Sequence, residues 1–298
     1  MQGDSAPSLG RASVKAALAL EALAVGNPDG PVILSALSFE VLPGEVVALL
    51  GANGCGKTTL LRGIAGLVPE RAGRVWLRGQ PAPRGAVARA EAGLALAFQN
   101  PDDQLFGATV GEDVAIGPLH QGLAPDAVRA RVDEALEATG LAHLAGRSIE
   151  ALSFGEKKRA CLAGVLAMHP AVLLLDEPTA GLDPVGERET AGLLRRLARE
   201  REVALIVSTH ATDEVPFFAD RVAILGEGRL LAFGSPSEVF RDAAMLARAR
   251  LRAPAVTELW AHLAPFLSGP AEVPPLTVSE AASRLRSILV PTRQEVHP

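Results

Sequence analysis

The chain has 298 residues, 48% of them hydrophobic, which is enough for one large domain or two with a substantial buried core. A formal net charge of −5, with basic residues scattered along the chain, leaves no electrostatic footprint for nucleic acid and makes it an unsuitable primary partner. Two cysteines cannot build a disulfide framework or a Cys-based metal site, the six histidines lack metal-ligand spacing, and the usage suits a reducing cytoplasm.

Residues 1–15, rich in Gly, Ser, Pro and Asp, read as a flexible tail. Ala16–Leu20 is too short an apolar core for a signal peptide, and Glu21 interrupts it. Apolar runs then predict strands around Leu18–Val25, Val32–Val41, Val46–Leu50, Arg74–Arg78, Leu94–Phe98, Val172–Leu175, Val203–Ser208 and Val222–Leu225. Several alternate with helical patterns, so the fold class is α/β with parallel central strands. Residues from about 109 to 168 contain no convincing strand, and Val128, Val132, Ala135 and Leu136 repeat with helical spacing, which predicts a helical subdomain inserted into the core. The most apolar stretch, Cys161–Leu175, is split by His169 and Pro170 into a helix end and a buried strand, and nothing spans a bilayer. Ser235-Pro236-Ser237-Glu238 and Thr277-Val278-Ser279-Glu280 are capping boxes that should start two helices. Prolines 254, 265, 270, 274 and 275 punctuate the rest, so residues 241–298 read as a short helical extension.

Three motifs carry the chemistry. Gly51-Ala52-Asn53-Gly54-Cys55-Gly56-Lys57-Thr58-Thr59 fits the phosphate-loop pattern between a β-branched strand and a helix. In that pattern backbone N–H groups wrap the phosphates of a nucleotide, the lysine reaches the β and γ oxygens, and the Thr58 hydroxyl ligates Mg²⁺. Leu173-Leu174-Leu175-Asp176-Glu177-Pro178 delivers two carboxylates to a strand end beside that loop: Asp176 is the expected Mg²⁺ partner, and Glu177 is placed to polarise an attacking water. Leu152-Ser153-Phe154-Gly155-Glu156 supplies a hydroxyl, a glycine that permits close approach and a helix N-terminus, the components of an anion site.

In this order the three motifs resemble those of the ATP-binding-cassette (ABC) ATPases, over roughly residues 16–240. The resemblance implies a P-loop ATPase with a mixed sheet core, acting as a head-to-tail dimer in which Ser153 and Gly155 of one subunit close on the γ-phosphate held by Lys57 of the other. It also implies that Gln99 senses Mg²⁺ and water, that Ala180-Gly181-Leu182-Asp183 is the intersubunit loop with Asp183 at the nucleotide, and that His210 is the γ-phosphate switch. Phe98–Phe106, Gly155–Arg159 and Ala163–Met168 look most like the ATPases of energy-coupling-factor importers of the cobalt/nickel type. That likeness implies a peripheral position on the cytoplasmic face of the cell membrane, a second ATPase subunit, a membrane scaffold and a substrate-binding membrane subunit. It further implies that Asp102, Asp103, Leu105 and Phe106 border the groove that receives scaffold helices.

The chain departs from the family in three places. Asn27 stands where an adenine-stacking aromatic is usual, and the chain has no tyrosine. Phe154 replaces the commoner glycine of the signature motif. Cys55 fills a variable slot, where the loop amides and the helix N-terminus are expected to lower its thiol pKa and make it reactive. A vitamin importer, a soluble ABC protein acting on DNA or the ribosome, and a nucleotide-gated switch without turnover are the alternatives; the intact set Lys57, Thr58, Gln99, Asp176, Glu177 and His210 speaks against the last.

Overall fold

In the computed structural model, which describes residues 16–27, 30–266 and 273–289, the chain runs through β1 (Leu18–Gly26), β2 (Val32–Val41), β3 (Val46–Leu50), α1 (Lys57–Ile64), β4 (Ala72–Leu77), β5 (Gln80–Pro81), α2 (Ala86–Glu91) and β6 (Leu94–Ala97). There follow α3 (Val110–His120), α4 (Pro125–Ala138), α5 (Phe154–Leu166), β7 (Val172–Asp176), α6 (Pro184–Arg201), β8 (Ala204–Thr209), α7 (Val215–Phe218), β9 (Arg221–Gly226) and β10 (Arg229–Gly234). Among the described residues four further α-helices follow: α8 (Pro236–Phe240), α9 (Ala243–Arg248), α10 (Ala255–Leu263) and α11 (Val278–Leu289). The expected tail, residues 1–15, and Pro28-Asp29 of the turn before β2 lie outside the described residues.

The strands form two sheets, ordered β2-β1-β4-β5 and β10-β9-β3-β8-β7-β6. The first is antiparallel throughout. In the second, β9, β3, β8, β7 and β6 are parallel, and β10 pairs antiparallel at the edge. Sequence reading gave an α/β fold with parallel central strands, and the chain adopts it. β3 reads Val-Val-Ala-Leu-Leu and is buried at every position, the pattern of a parallel strand covered on both faces. Its alternate residues serve two separate cores: Val46, Ala48 and Leu50 face one, Val47 and Leu49 the other.

The region from 109 to 168 holds α3, α4, α5 and two 3-10 turns, with one isolated bridge between Thr109 and Ser148. The face read from the spacing of Val128, Val132, Ala135 and Leu136 is the buried face of α4. Thr109 caps α3 and Ser153 caps α5, each in a reciprocal box with the glutamate three residues on. The box at Ser235 forms as read. At α11 the Thr277 hydroxyl accepts from Glu280 N–H, while the Glu280 carboxylate reaches past its expected partner to Leu276 N–H. Met245, Leu246 and Ala249 on and after α9 belong to the larger core, so the packed body continues through Ala249.

One buried cation orients the helix that follows the phosphate loop. Arg89 of α2 is almost fully buried and donates to the carbonyls of Gly63 and Ile64, at 2.8 Å each, with Glu70 as its ion partner. A guanidinium on the last carbonyls satisfies groups that the helix end leaves orphaned and complements its dipole.

Candidate functional site

Because the strands are parallel, their C-terminal ends share one edge of the sheet. Leu50 pairs with Thr209, Asp176 with Ser208, and Ala97 with Leu175, so the residues that follow these strands come together. They line an open cleft of about 350 Å³, walled by Ile33, Asn53, Gly54, Gly56, Lys57, Thr58, Thr59, Gln99, Glu177 and His210.

The loop from Gly51 to Gly56 needs its glycines. Gly54 has φ +80° and Gly56 φ +107°, and a Cβ on Gly56 would press on the Ile33 and Leu34 side chains at 3.0 Å. Gly56 is the N-cap of α1 and offers no side-chain cap, so the first N–H groups of that helix are free to bind an anion. Lys57 is buried, and its ammonium donates to Gly51 O at 2.8 Å with Glu177 Oε1 at 3.9 Å. These features fit a polyphosphate. The hydroxyl of Thr58 and the carboxylate of Asp176 are hard oxygen donors of the kind that hold Mg²⁺.

Glu177 is where the site converges. Its carboxylate accepts from Gln99 Nε2 at 3.0 Å, lies 3.4 Å from His210 Nδ1, and is the nearest anion to Lys57. Its backbone is held at φ +47°, a left-handed conformation that costs an L-residue about 1–2 kcal/mol. The surroundings hold it there. Its N–H donates to Ser208 Oγ at 3.0 Å, and its carbonyl accepts from Lys158 Nζ at 2.8 Å. Ser208 also donates to Asp176 Oδ1 at 2.6 Å, so one buried hydroxyl orients both acidic neighbours.

The remaining site candidates do not line this cleft. Ser153 and Gly155 stand at the start of α5, where the Ser153 hydroxyl accepts from Glu156 N–H and the Glu156 carboxylate accepts from Ser153 N–H at 2.7 Å. Those bonds hold the Glu156 carboxyl below its usual range. Asp183 caps α6, accepting from Gly186 N–H at 2.7 Å and Val185 N–H at 3.0 Å. Leu182 of the same loop sits 3.5 Å from where a Cβ on Gly155 would be, so the start of α5 and the loop before α6 touch within one chain.

One expectation is corrected. Burial pushes the Cys55 thiol up rather than down; the pull of Lys57 and the backbone amides is smaller. The sulfur folds back against Gly51, and the side chain packs on the core between the two sheets. The reasoning from helix N-termini omitted the cost of placing a thiolate in that apolar contact.

Asn27, at the usual position of an adenine-stacking ring, serves as a turn former: its carbonyl accepts from Gly30 N–H at 3.1 Å and from Arg71. Ile33 is the apolar side chain that faces the cleft from that side. Sequence reading also missed Ser208 and Lys158. Ser208 had a usable signal, a hydroxyl two residues before His210 at a strand end; Lys158 had none beyond its place in the signature helix.

Among the described residues no helix is long and apolar enough to cross a membrane, and no group of three or more His, Cys, Asp or Glu side chains could hold a metal ion. The sequence pattern described as "ABC transporter" matches residues 34–180. The energy-coupling factor transporter ATP-binding protein EcfA of Methanocaldococcus jannaschii is 43% identical over 249 residues, covering 83% of this chain and 88% of the relative. EcfA2 of Clostridium perfringens is 40% identical over 244 residues, covering 81% and 86%. The solved structure of CbiO1 from Clostridium perfringens, part of the ABC transporter complex CbiONQ, superposes with a TM-score of 0.72 at 38% identity, covering 83% of this chain and 99% of that one. The chain belongs to the ABC transporter family, as an ATPase of the energy-coupling-factor type.

Proposed function

We propose that this chain binds ATP with Mg²⁺ in the cleft, hydrolyses it as a head-to-tail homodimer, and energises the import of cobalt or nickel ions through a membrane complex. The observation that carries the reading is the convergence of Gln99, His210 and Lys57 on the single carboxylate of Glu177.

The roles follow from position. Gly51, Asn53, Gly54, Cys55, Gly56, Lys57, Thr58 and Thr59 embrace the phosphates, Cys55 through its backbone alone. Thr58, Asp176 and Gln99 would hold Mg²⁺, which supplies charge neutralisation on the phosphate oxygens when bound. Glu177 orients and polarises the attacking water; His210 and Gln99 fix its carboxylate and read the γ-phosphate. Ser153, Gly155 and Asp183 belong to the opposite site of the dimer. Supporting this, Ser153 is exposed and lies outside the chain's own cleft.

Scaffold and substrate-binding membrane subunits complete the machine, with this chain peripheral on the cytoplasmic face. The cobalt/nickel cargo rests on the likeness of Phe98–Phe106 and Gly155–Arg159 noted above. Glu177→Gln should bind ATP, accumulate as an ATP-locked dimer, and lose about 10²–10⁴-fold in hydrolysis. Its membrane complex should take up no Co²⁺ or Ni²⁺. Hydrolysis within about threefold of wild type would remove Glu177 from the chemistry; ATP-driven uptake of a vitamin instead of either ion would move the cargo to the alternative class.

A further inference from the structure

Two peptides in the site depend on a side chain outside it. Lys158 lies one turn into α5, and its ammonium donates to the carbonyl of Glu177 at 2.8 Å and to the carbonyl of Gln99 at 3.0 Å. These two residues are 78 positions apart in sequence and hydrogen-bond to each other through their side chains. The same ammonium stands 5.5 Å from the centre of the Phe154 ring, and that ring packs on Gly181 of the loop before α6. Lys158 thus ties together the strand end after β6, the strand end after β7 and the start of α5.

We propose that Lys158 is a positioning residue for hydrolysis: from the signature helix of the same chain it holds the Glu177 and Gln99 peptides in the orientation that aims both side chains into the cleft. This rests on the reading of Glu177 as the water-polarising group.

The physical argument begins with the left-handed backbone of Glu177. A glutamate at φ +47° relaxes toward the right-handed or extended regions unless both ends of its peptide are held. Ser208 holds the N–H, and Lys158 holds the carbonyl. Release of the carbonyl lets the peptide rotate, and a rotation at Cα carries the carboxylate away from Gln99, His210 and Lys57. The Lys158–Glu177 bond is partly buried, so it carries more weight than a surface one. Lys158 itself bonds to the Gln99 and Glu177 carbonyls and to no residue of the phosphate loop, so nucleotide binding should be largely spared. An error of about 1 Å in a catalytic group can cost on the order of 10²-fold.

The test uses the full chain and compares Lys158→Met, Glu177→Gln and the double variant for kcat, KM for ATP and thermal melting, with slow hydrolysis followed as single turnovers over hours. Lys158→Met keeps the aliphatic stem and removes the donors. Its kcat should fall about tenfold or more with KM within about twofold. In the Glu177→Gln background the same change should cost at least about threefold less than in wild type, because only Gln99 is left to misplace. A merely structural lysine would lower the melting temperature and depress both backgrounds equally, and that result overturns the proposal. So does a kcat for Lys158→Met within about twofold of wild type beside an inactive Glu177→Gln. Wild-type-like hydrolysis by Glu177→Gln alone would instead overturn the assignment of Glu177, and the inference with it. Should Lys158→Met fail to melt cooperatively, Lys158→Gln, too short to bridge both carbonyls, carries the same readings.

Discussion

The phosphate loop shows how much a single side chain's direction matters. Cys55 sits between glycines in a loop with the phosphate-binding pattern, yet its sulfur turns toward Gly51 and the core between the sheets. Desolvation then dominates the nearby Lys57 charge, and the thiol is pushed up. Cys161, deeper in α5, is pushed up to about 12 by burial first and by Asp113 second. The thiolate is the nucleophile, so maleimide should label Cys55 at pH 7 more slowly than a free cysteine, by at least about threefold, with a rate that climbs as pH rises through the alkaline range. Cys161 should label only when the protein is unfolded. Labelling of native Cys55 as fast as a free thiol would show that the sulfur faces the cleft after all.

At the scale of elements, the contact between α5 and the loop before α6 explains the phenylalanine in the signature motif. Gly181 has φ +81°, and a Cβ there would lie 2.9 Å from Phe154 Cε1, so the ring covers a glycine that has no room for a side chain. Gly181→Ala should cost about 1–2 kcal/mol in backbone strain alone, lowering the melting temperature by a few degrees, about 2–4 °C per kcal/mol. In a Phe154→Gly background the steric share should vanish and the backbone share remain. An unchanged melting temperature in Gly181→Ala would refute the packing. Element readings succeeded where one physical signal dominated. All eight apolar runs are strands, because burial on one or both faces of a sheet writes itself into hydrophobicity. β10 escaped because Leu230–Phe233 are only half-buried, although Glu227 (φ +52°) and Gly228 (φ +73°) form a two-residue hairpin turn that an X-Gly pair signals. β5 is two residues ending in Pro81, too short to leave a pattern. The division of the strands into two sheets was invisible for a different reason: pairing is set by contacts across the chain, not by local composition.

For the whole molecule the question is what the membrane partners would grip. The phosphate loop and the strand-end carboxylates were legible because each is a contiguous motif, whereas Gln99 and His210 are lone residues that only the family resemblance could reach. The segment after Gln99 was expected to present Asp102, Asp103, Leu105 and Phe106 together, and the fold divides them. Leu105 packs against the larger core, and Asp102 pairs with Lys157 of α5 at 2.6 Å. The backbone beyond is pinned by the buried Asp113, which accepts from Phe106 N–H at 2.7 Å and Gly107 N–H at 2.8 Å. Phe106 is 78% exposed, with Asp103 exposed on the same short segment; Asp102 is exposed too, but its charge is taken up by Lys157. An apolar anchor beside an acid suits an amphipathic helix that carries basic residues. Replacing Asp102 with lysine would confuse the outcome, because it sets two cations against each other within the chain and disturbs α5. The informative variant is Phe106→Ser with Asp103→Lys, which touches no internal partner and should change stability by no more than about 0.5 kcal/mol per site. It should bind and hydrolyse ATP as the isolated subunit, associate weakly with the membrane scaffold, and support no transport in the reconstituted complex. Normal transport by that stably folded variant would place the coupling surface elsewhere on the molecule.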